Sequence, residues 1–211
     1  MTFTLPTALL ENDDARSRRA LTRYFLGGFV DDEKRGPFVG RHFDTWGSNQ
    51  ADRFTSDDIV AVSFLSVTVP ARHVPGLVLN PSAELVGGLT DTAGLDRGLH
   101  EVDPDEITRD WAPWRLWTEL MDLKGVGRTI CSKLIARKRP HLIPIWDTVV
   151  GTVVGPSEGF WLGLCTELRA DGGALHEQLV SLHSDAGLPS KVTPLRTFDV
   201  IAWMEGKGYD L

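Results

Sequence analysis

Apolar side chains recur along this chain at helical rather than alternating spacing. Ala20, Leu21, Tyr24 and Phe25 share one helix face, with Asn12-Asp13-Asp14 as a start and Gly27-Gly28 as a stop. Residues 29–54 read as irregular, punctuated by Gly36-Pro37, Gly40 and Gly47. Thr55 or Ser56 caps a second helix, and Asp57 and Asp58 suit its positive end. Its body, residues 59–67, is apolar on most sides, which predicts burial. The β-branched content leaves a strand open as the alternative. Pro70 and Pro75 are expected to end that segment. Asp103-Pro104 opens a stretch toward Trp111. Further helices are expected over 114–123, 128–139 (stopped by Pro140), 147–154, 160–170 and 177–182. A last one runs from the Thr193-Pro194 cap to about residue 205. No repeat, low-complexity tract or linker divides the chain. The pattern predicts a single all-α domain over residues 1–211.

Composition narrows the class. The 211 residues are 42% apolar and 24% charged, so the chain can bury a core and is not wholly disordered. No apolar run approaches the roughly 18 residues that span a membrane. The first residues lack a charged region followed by a long apolar one, so no signal peptide is expected. Cys131 and Cys165 are the two cysteines. They exclude a four-cysteine metal or iron–sulfur site, and a reducing cytoplasm is the expected location.

The net charge of −7 argues against nucleic acid, whose partners usually carry a basic excess. Charge is segregated, however. Between Asp122 and Asp147 there is no acid, while Lys124, Arg128, Lys133, Arg137, Lys138 and Arg139 give a local +6. Taking that +6 from −7 leaves −13 for the rest, concentrated around Glu11-Asp14, Asp31-Glu33 and Glu101-Glu106. The basic window is either a solvated helix face or an electrostatic footprint for phosphate.

Within that window stands Leu123-Lys124-Gly125-Val126-Gly127-Arg128-Thr129. The two glycines permit backbone conformations closed to other residues and close approach by a partner. The turn feeds a helix whose first N–H groups are free to bind an anion, and Lys124 and Arg128 add charge. This Leu-x-Gly-Val-Gly turn before a helix resembles the helix-hairpin-helix motif. Downstream, Pro144-Ile145-Trp146-Asp147-Thr148-Val149-Val150 resembles the Val-Asp-Thr-x-Val segment of the base-excision DNA glycosylase superfamily that uses this motif. Asp147 lies 20 residues after Gly127, as in the endonuclease III-like members, and the likeness covers residues 112–154.

The resemblance implies a glycosylase-like all-α fold and a partner in duplex DNA. Gly125, Gly127, Arg128 and Lys133 would anchor its backbone, with Lys124 and Thr129 alongside. Asp147 would stabilise an oxocarbenium-like sugar, and Trp146 would belong to the pocket for an extruded base. Thr129 stands where strand-cleaving members carry a lysine, so the implied activity is base release without lyase chemistry. Val149 and Thr152 replace the family's polar and basic residues after the aspartate. From the residues alone, Asp147 also reads as the N-cap of the helix that follows, and the two roles are compatible. Two other functions stay open: a non-catalytic DNA-binding module, and an interaction protein that keeps the hairpin as a structural element.

Other chemistry finds little support. The six histidines are scattered with no i, i+4 pair, so no zinc site and no cofactor are expected. Asp103, Asp105 and Glu106 lack the glycine and distal glutamate of a calcium loop. No phosphate-binding or dinucleotide fingerprint occurs, and Ser132 lacks a nucleophile-elbow context. Cys131 reads as a packing residue. Trp111, Trp114 and Trp117 recur every three residues, as core packing or as a base-stacking platform. Phe43, Asp44 and Asn49 are further candidates for lining a pocket.

Overall fold

The computed structural model describes residues 3–10, 14–27, 37–95 and 97–209. Regular structure among them is entirely helical. The α-helices are α1 (Thr7–Leu10), α2 (Asp14–Phe25), α3 (Ser56–Ser63), α4 (Val74–Val78), α5 (Ala83–Ala93), α6 (Ala112–Met121), α7 (Arg128–Lys138), α8 (Thr148–Val154), α9 (Phe160–Arg169), α10 (Ala174–Asp185) and α11 (Pro194–Gly206). None is long and apolar enough to cross a membrane. The acids at 11, 13 and 31–33, the start at 12–13 and Gly28 lie outside the described residues.

Most expected helices form within two residues of their expected ends. The second differs. It is helical, not a strand, and its start follows the residues: Thr55 caps it while the Asp58 carboxylate accepts the Thr55 N–H at 2.8 Å. It stops at Ser63, before residues 64–67, because Ser66 adopts a left-handed φ of 59°. Pro70 and Pro75 therefore do not end it, and Pro75 sits in the first turn of α4. α4 and α5 were not expected. Gly87 and Gly88 disguise α5, where Gly88 lies against Leu116 of α6.

Helix packing falls into two groups. α3 and α6 pack on α7, and α5 packs on α6. In the other group, α2, α8 and α10 pack on α11, and α9 packs on α10. α11 approaches α8 so closely that a Cβ on Gly206 would lie 2.6 Å from the Val149 carbonyl oxygen. The Glu205 carboxylate on α11 also accepts the N–H groups of Thr7 and Ala8, which fixes the start of α1. A tryptophan cluster joins the groups: Trp111, Trp114 and Trp117 all contact Trp161 of α9, with Trp114 at 4.3 Å between ring centroids. Trp111 is buried, while Trp114 and Trp117 are half-buried and line an open cavity with Arg128 and Glu158, so the stripe packs on one side and stays partly open on the other. Cys131 is buried, and burial pushes its thiol well above the ordinary range, which fits a packing residue.

The basic window is corrected by the fold. Lys124 and Arg128 are exposed, but Lys133, Arg137, Lys138 and Arg139 are buried. Arg137 donates to the carbonyls of Phe43, Asp44, Trp46 and Ser48 and pairs with Asp58. Lys138 pairs with the same carboxylate, and Arg139 donates to the carbonyls of Ala51 and Leu89. These cations tie α7 to the irregular segment before α3. They are neither a solvated face nor a phosphate footprint.

Candidate functional site

The site is built where the two helix groups meet. The chain runs extended through Pro144-Ile145-Trp146 and enters α8 at Asp147, whose backbone is extended at φ −140° and ψ 177°. That conformation aims the carboxylate back over the helix start. Oδ1 accepts the N–H groups of Val149 and Val150, each at 2.9 Å. Oδ2 faces Lys133 Nζ at 3.2 Å. Lys133 also donates to the Leu65 carbonyl at 2.9 Å, in the turn that Ser66 makes possible. Thr129 and Lys133 are one helical turn apart on α7, and both line the same cavity as Asp147.

This cavity has a volume of about 260 Å³. Its polar floor continues onto α11 through Arg196 and Asp199. Arg196 is shared: Nε donates to Asp44 at 3.1 Å, Nη2 to the Tyr24 hydroxyl at 2.8 Å, and Nη1 to Asp199. Asp44 reaches it because Arg137 fastens the carbonyls on either side of it. Burial is the main cause that raises Asp199, to about 6, against the pull of Arg196. Burial likewise raises Asp44 above the usual carboxylate range. The walls are aromatic. Phe38 stacks on Tyr24 at 5.2 Å and meets Trp203 edge-on at 5.5 Å, and Phe64 adds a ring from the segment after α3. A flat, partly polar ligand suits such a lining.

Several sequence candidates converge here and others do not. Asp147, Thr129 and Lys133 line the cavity. Lys133 is corrected from a phosphate contact to a buried partner of Asp147, because its position on α7 faces the core. Trp146 is corrected too. Successive residues of an extended segment point opposite ways, so its indole turns from the cavity and donates to the Gly155 carbonyl at 3.1 Å. The carbonyl of Lys124 accepts Arg72 and contacts His73 Nε2 at 2.9 Å, while Arg128 pairs with Glu158 and donates to Ser157 at 3.1 Å. Asn49 donates to the Arg137 carbonyl rather than lining the cavity, and Phe43 lies under Arg196. Sequence reasoning missed Arg196, Asp199 and Tyr24. For Arg196 and Asp199 the signal was two charges among the apolar residues at the start of α11; Tyr24 gave none beyond its place on the apolar face of α2.

The hairpin glycines are not equivalent. Gly125 has φ 91°, which only glycine adopts readily, whereas Gly127 caps α7 with an extended backbone and open space at its Cβ position. Gly125→Ala is expected to cost about 1–2 kcal/mol in urea melts. Gly127→Ser is expected to leave stability within about 0.5 kcal/mol of the parent. If duplex DNA rests on this backbone, Gly127→Ser weakens its binding several-fold, and unchanged affinity excludes that contact.

Titration of Asp199 has a definite sign. A carboxyl raised to about 6 in the fold binds its proton more tightly than in the unfolded chain. Its stabilising contribution is full below the unfolded value near 4 and is lost as pH rises through about 6. Asp199→Asn is therefore expected to lose less stability than the parent between pH 4 and 7, measured by urea unfolding at both ends.

No curated protein and no solved structure matches the chain. A family model does match over residues 17–206, nearly the whole length. The chain belongs to that family, a family of unknown function designated DUF6308.

Proposed function

We propose that this protein binds duplex DNA through the turn between α6 and α7 and cleaves the N-glycosidic bond of a nucleotide extruded into the cavity. The observation that carries the reading is Asp147. Its carboxylate is held at both oxygens, by the α8 N–H groups and by Lys133, yet it borders an aromatic-walled space. An oxocarbenium-like sugar needs a fixed negative charge of this kind, and a base needs stacking surface to offset its lost neighbours. A carboxylate sealed in the core would have excluded the chemistry.

The turn offers Lys124, Arg128 and the α7 N-terminus, whose cap residue Gly127 brings no side chain. With four of the six basic residues buried, electrostatic affinity rests on few groups. Two phosphate contacts give a salt slope of about −2, so binding is modest and readily lost with salt. The reading is tested by incubating the protein with duplexes carrying single alkylated, deaminated or oxidised bases. Base release and retention by the duplex are both scored at low salt. Release from at least one duplex is expected. Binding without release leaves a non-catalytic module, and neither outcome leaves an interaction protein.

A further inference from the structure

Besides Asp147, the cavity contains a second carboxylate that the capping geometry does not use. Asp199 of α11 borders the same space. Around it stand the charged and titratable groups of every neighbouring element: Arg196 on its own helix and Lys207 just beyond its end, Tyr24 of α2, Asp44 of the fastened loop, Lys133 of α7, and Asp147 at the head of α8. Lys133 answers Asp147, whereas the buried Arg196 is divided between Asp44 and Asp199, with Arg137 also beside Asp44. Asp147 is bonded at both oxygens, while Arg196 meets Asp199 at Oδ2, and burial favours a proton on the Asp199 carboxyl.

We infer that Asp199 is the proton donor to the base leaving this cavity, with Asp147 as its ionised counterpart. The inference rests on the N-glycosidic reading above and deepens it. As the bond between C1′ and the base nitrogen breaks, its electron pair goes to the base. The Asp199 proton is transferred to a ring nitrogen or exocyclic oxygen of that base. The carboxylate of Asp147 faces the cationic sugar. Water then adds to C1′, and the proton it sheds returns to Asp199. Two carboxyls in unlike environments, one protonated and one ionised, are the general arrangement for cleaving a glycosidic bond. The elevation of Asp199 to about 6 places the donor form within reach near neutrality.

Leaving-group chemistry tests the assignment. A neutral base such as hypoxanthine needs a proton to depart, whereas 7-methylguanine is already cationic and departs without one. Asp199→Asn is expected to release hypoxanthine from duplex DNA about 10²–10⁴-fold more slowly than the parent. Its loss with 7-methylguanine should be at least tenfold smaller. Asp199→Glu should recover part of the hypoxanthine rate. Parent release of hypoxanthine should also fall as pH rises through about 6. Melting curves and duplex binding of each variant show that the fold persists. Equal losses with both bases, or none with either, overturn the assignment and leave the N-glycosidic reading standing. So does a parent that releases only the cationic base. A parent that releases no base overturns both.

Discussion

Asp58→Asn is expected to lower the stability of this fold by about 3–5 kcal/mol, the cost of leaving buried charges without their partner. The carboxylate is fully enclosed, and its neighbours specify it. Thr55 presents its N–H and its hydroxyl at 2.8 and 3.0 Å, Arg137 its Nε at 3.3 Å, and Lys138 its ammonium. Asparagine keeps the shape and withdraws the charge, so two cations remain in a space from which water is excluded. Burial already pulls Lys138 below its ordinary value, and without Asp58 it moves further toward the neutral amine. Arg137 has no such escape.

A domain holding about 5–15 kcal/mol in total loses a large share of its stability, and the midpoint of thermal unfolding falls by roughly 6–20 °C. The mechanism makes a second demand. Adding Lys138→Met to Asp58→Asn removes one uncompensated cation and should restore part of the loss, a coupling read from a double-mutant cycle of urea melts. A single-variant loss below about 1 kcal/mol would contradict burial of the cations as drawn. The consequence extends to the cavity, because the carbonyls that Arg137 fastens set the loop that delivers Asp44 to Arg196.

What the sequence made legible was local. The turn before α7 and the cap of α8 are written in neighbouring residues: Gly125 for the positive φ, and Asp147 for the N–H groups two and three residues on. The proline after a threonine opened α11 for the same reason. The burial of the basic residues was not legible, because their partners are distant. The carbonyls that satisfy Arg137 belong to residues 43–48, and a count of charges along α7 cannot see them. Lys133 lay between these cases. Its spacing from Thr129 put the two on one face, but which way that face looked depended on α3 and α8. Trp146 failed through strand alternation beside an aspartate whose cap role was correctly read. The floor formed by Arg196 and Asp199 was a misfit in an apolar helix, and only the fold showed that it served the cavity.

The variant with the greatest expected effect on activity is Asp147→Asn. Asparagine still offers a carbonyl oxygen to Val149 and Val150, so the start of α8 and the path of the chain into it should persist. The negative charge facing the cavity does not. Base release by this variant should fall at least about 10²–10³-fold below the parent, the usual cost of deleting one fixed electrostatic contact to a developing charge. Duplex binding, proposed at the turn before α7 and not at Asp147, should stay within about threefold. Asp147→Ala removes the cap as well and should cost a further 0.5–2 kcal/mol of stability, roughly. That stability difference separates the structural role of the side chain from the chemical one. Lys133 loses its ionic partner in both variants but keeps the Leu65 carbonyl and borders the cavity, so the penalty stays below that of Asp58→Asn. Undiminished release by Asp147→Asn would take the carboxylate out of the reaction. A parallel loss of release and binding would mean that Asp147 acts only by holding α8 in place.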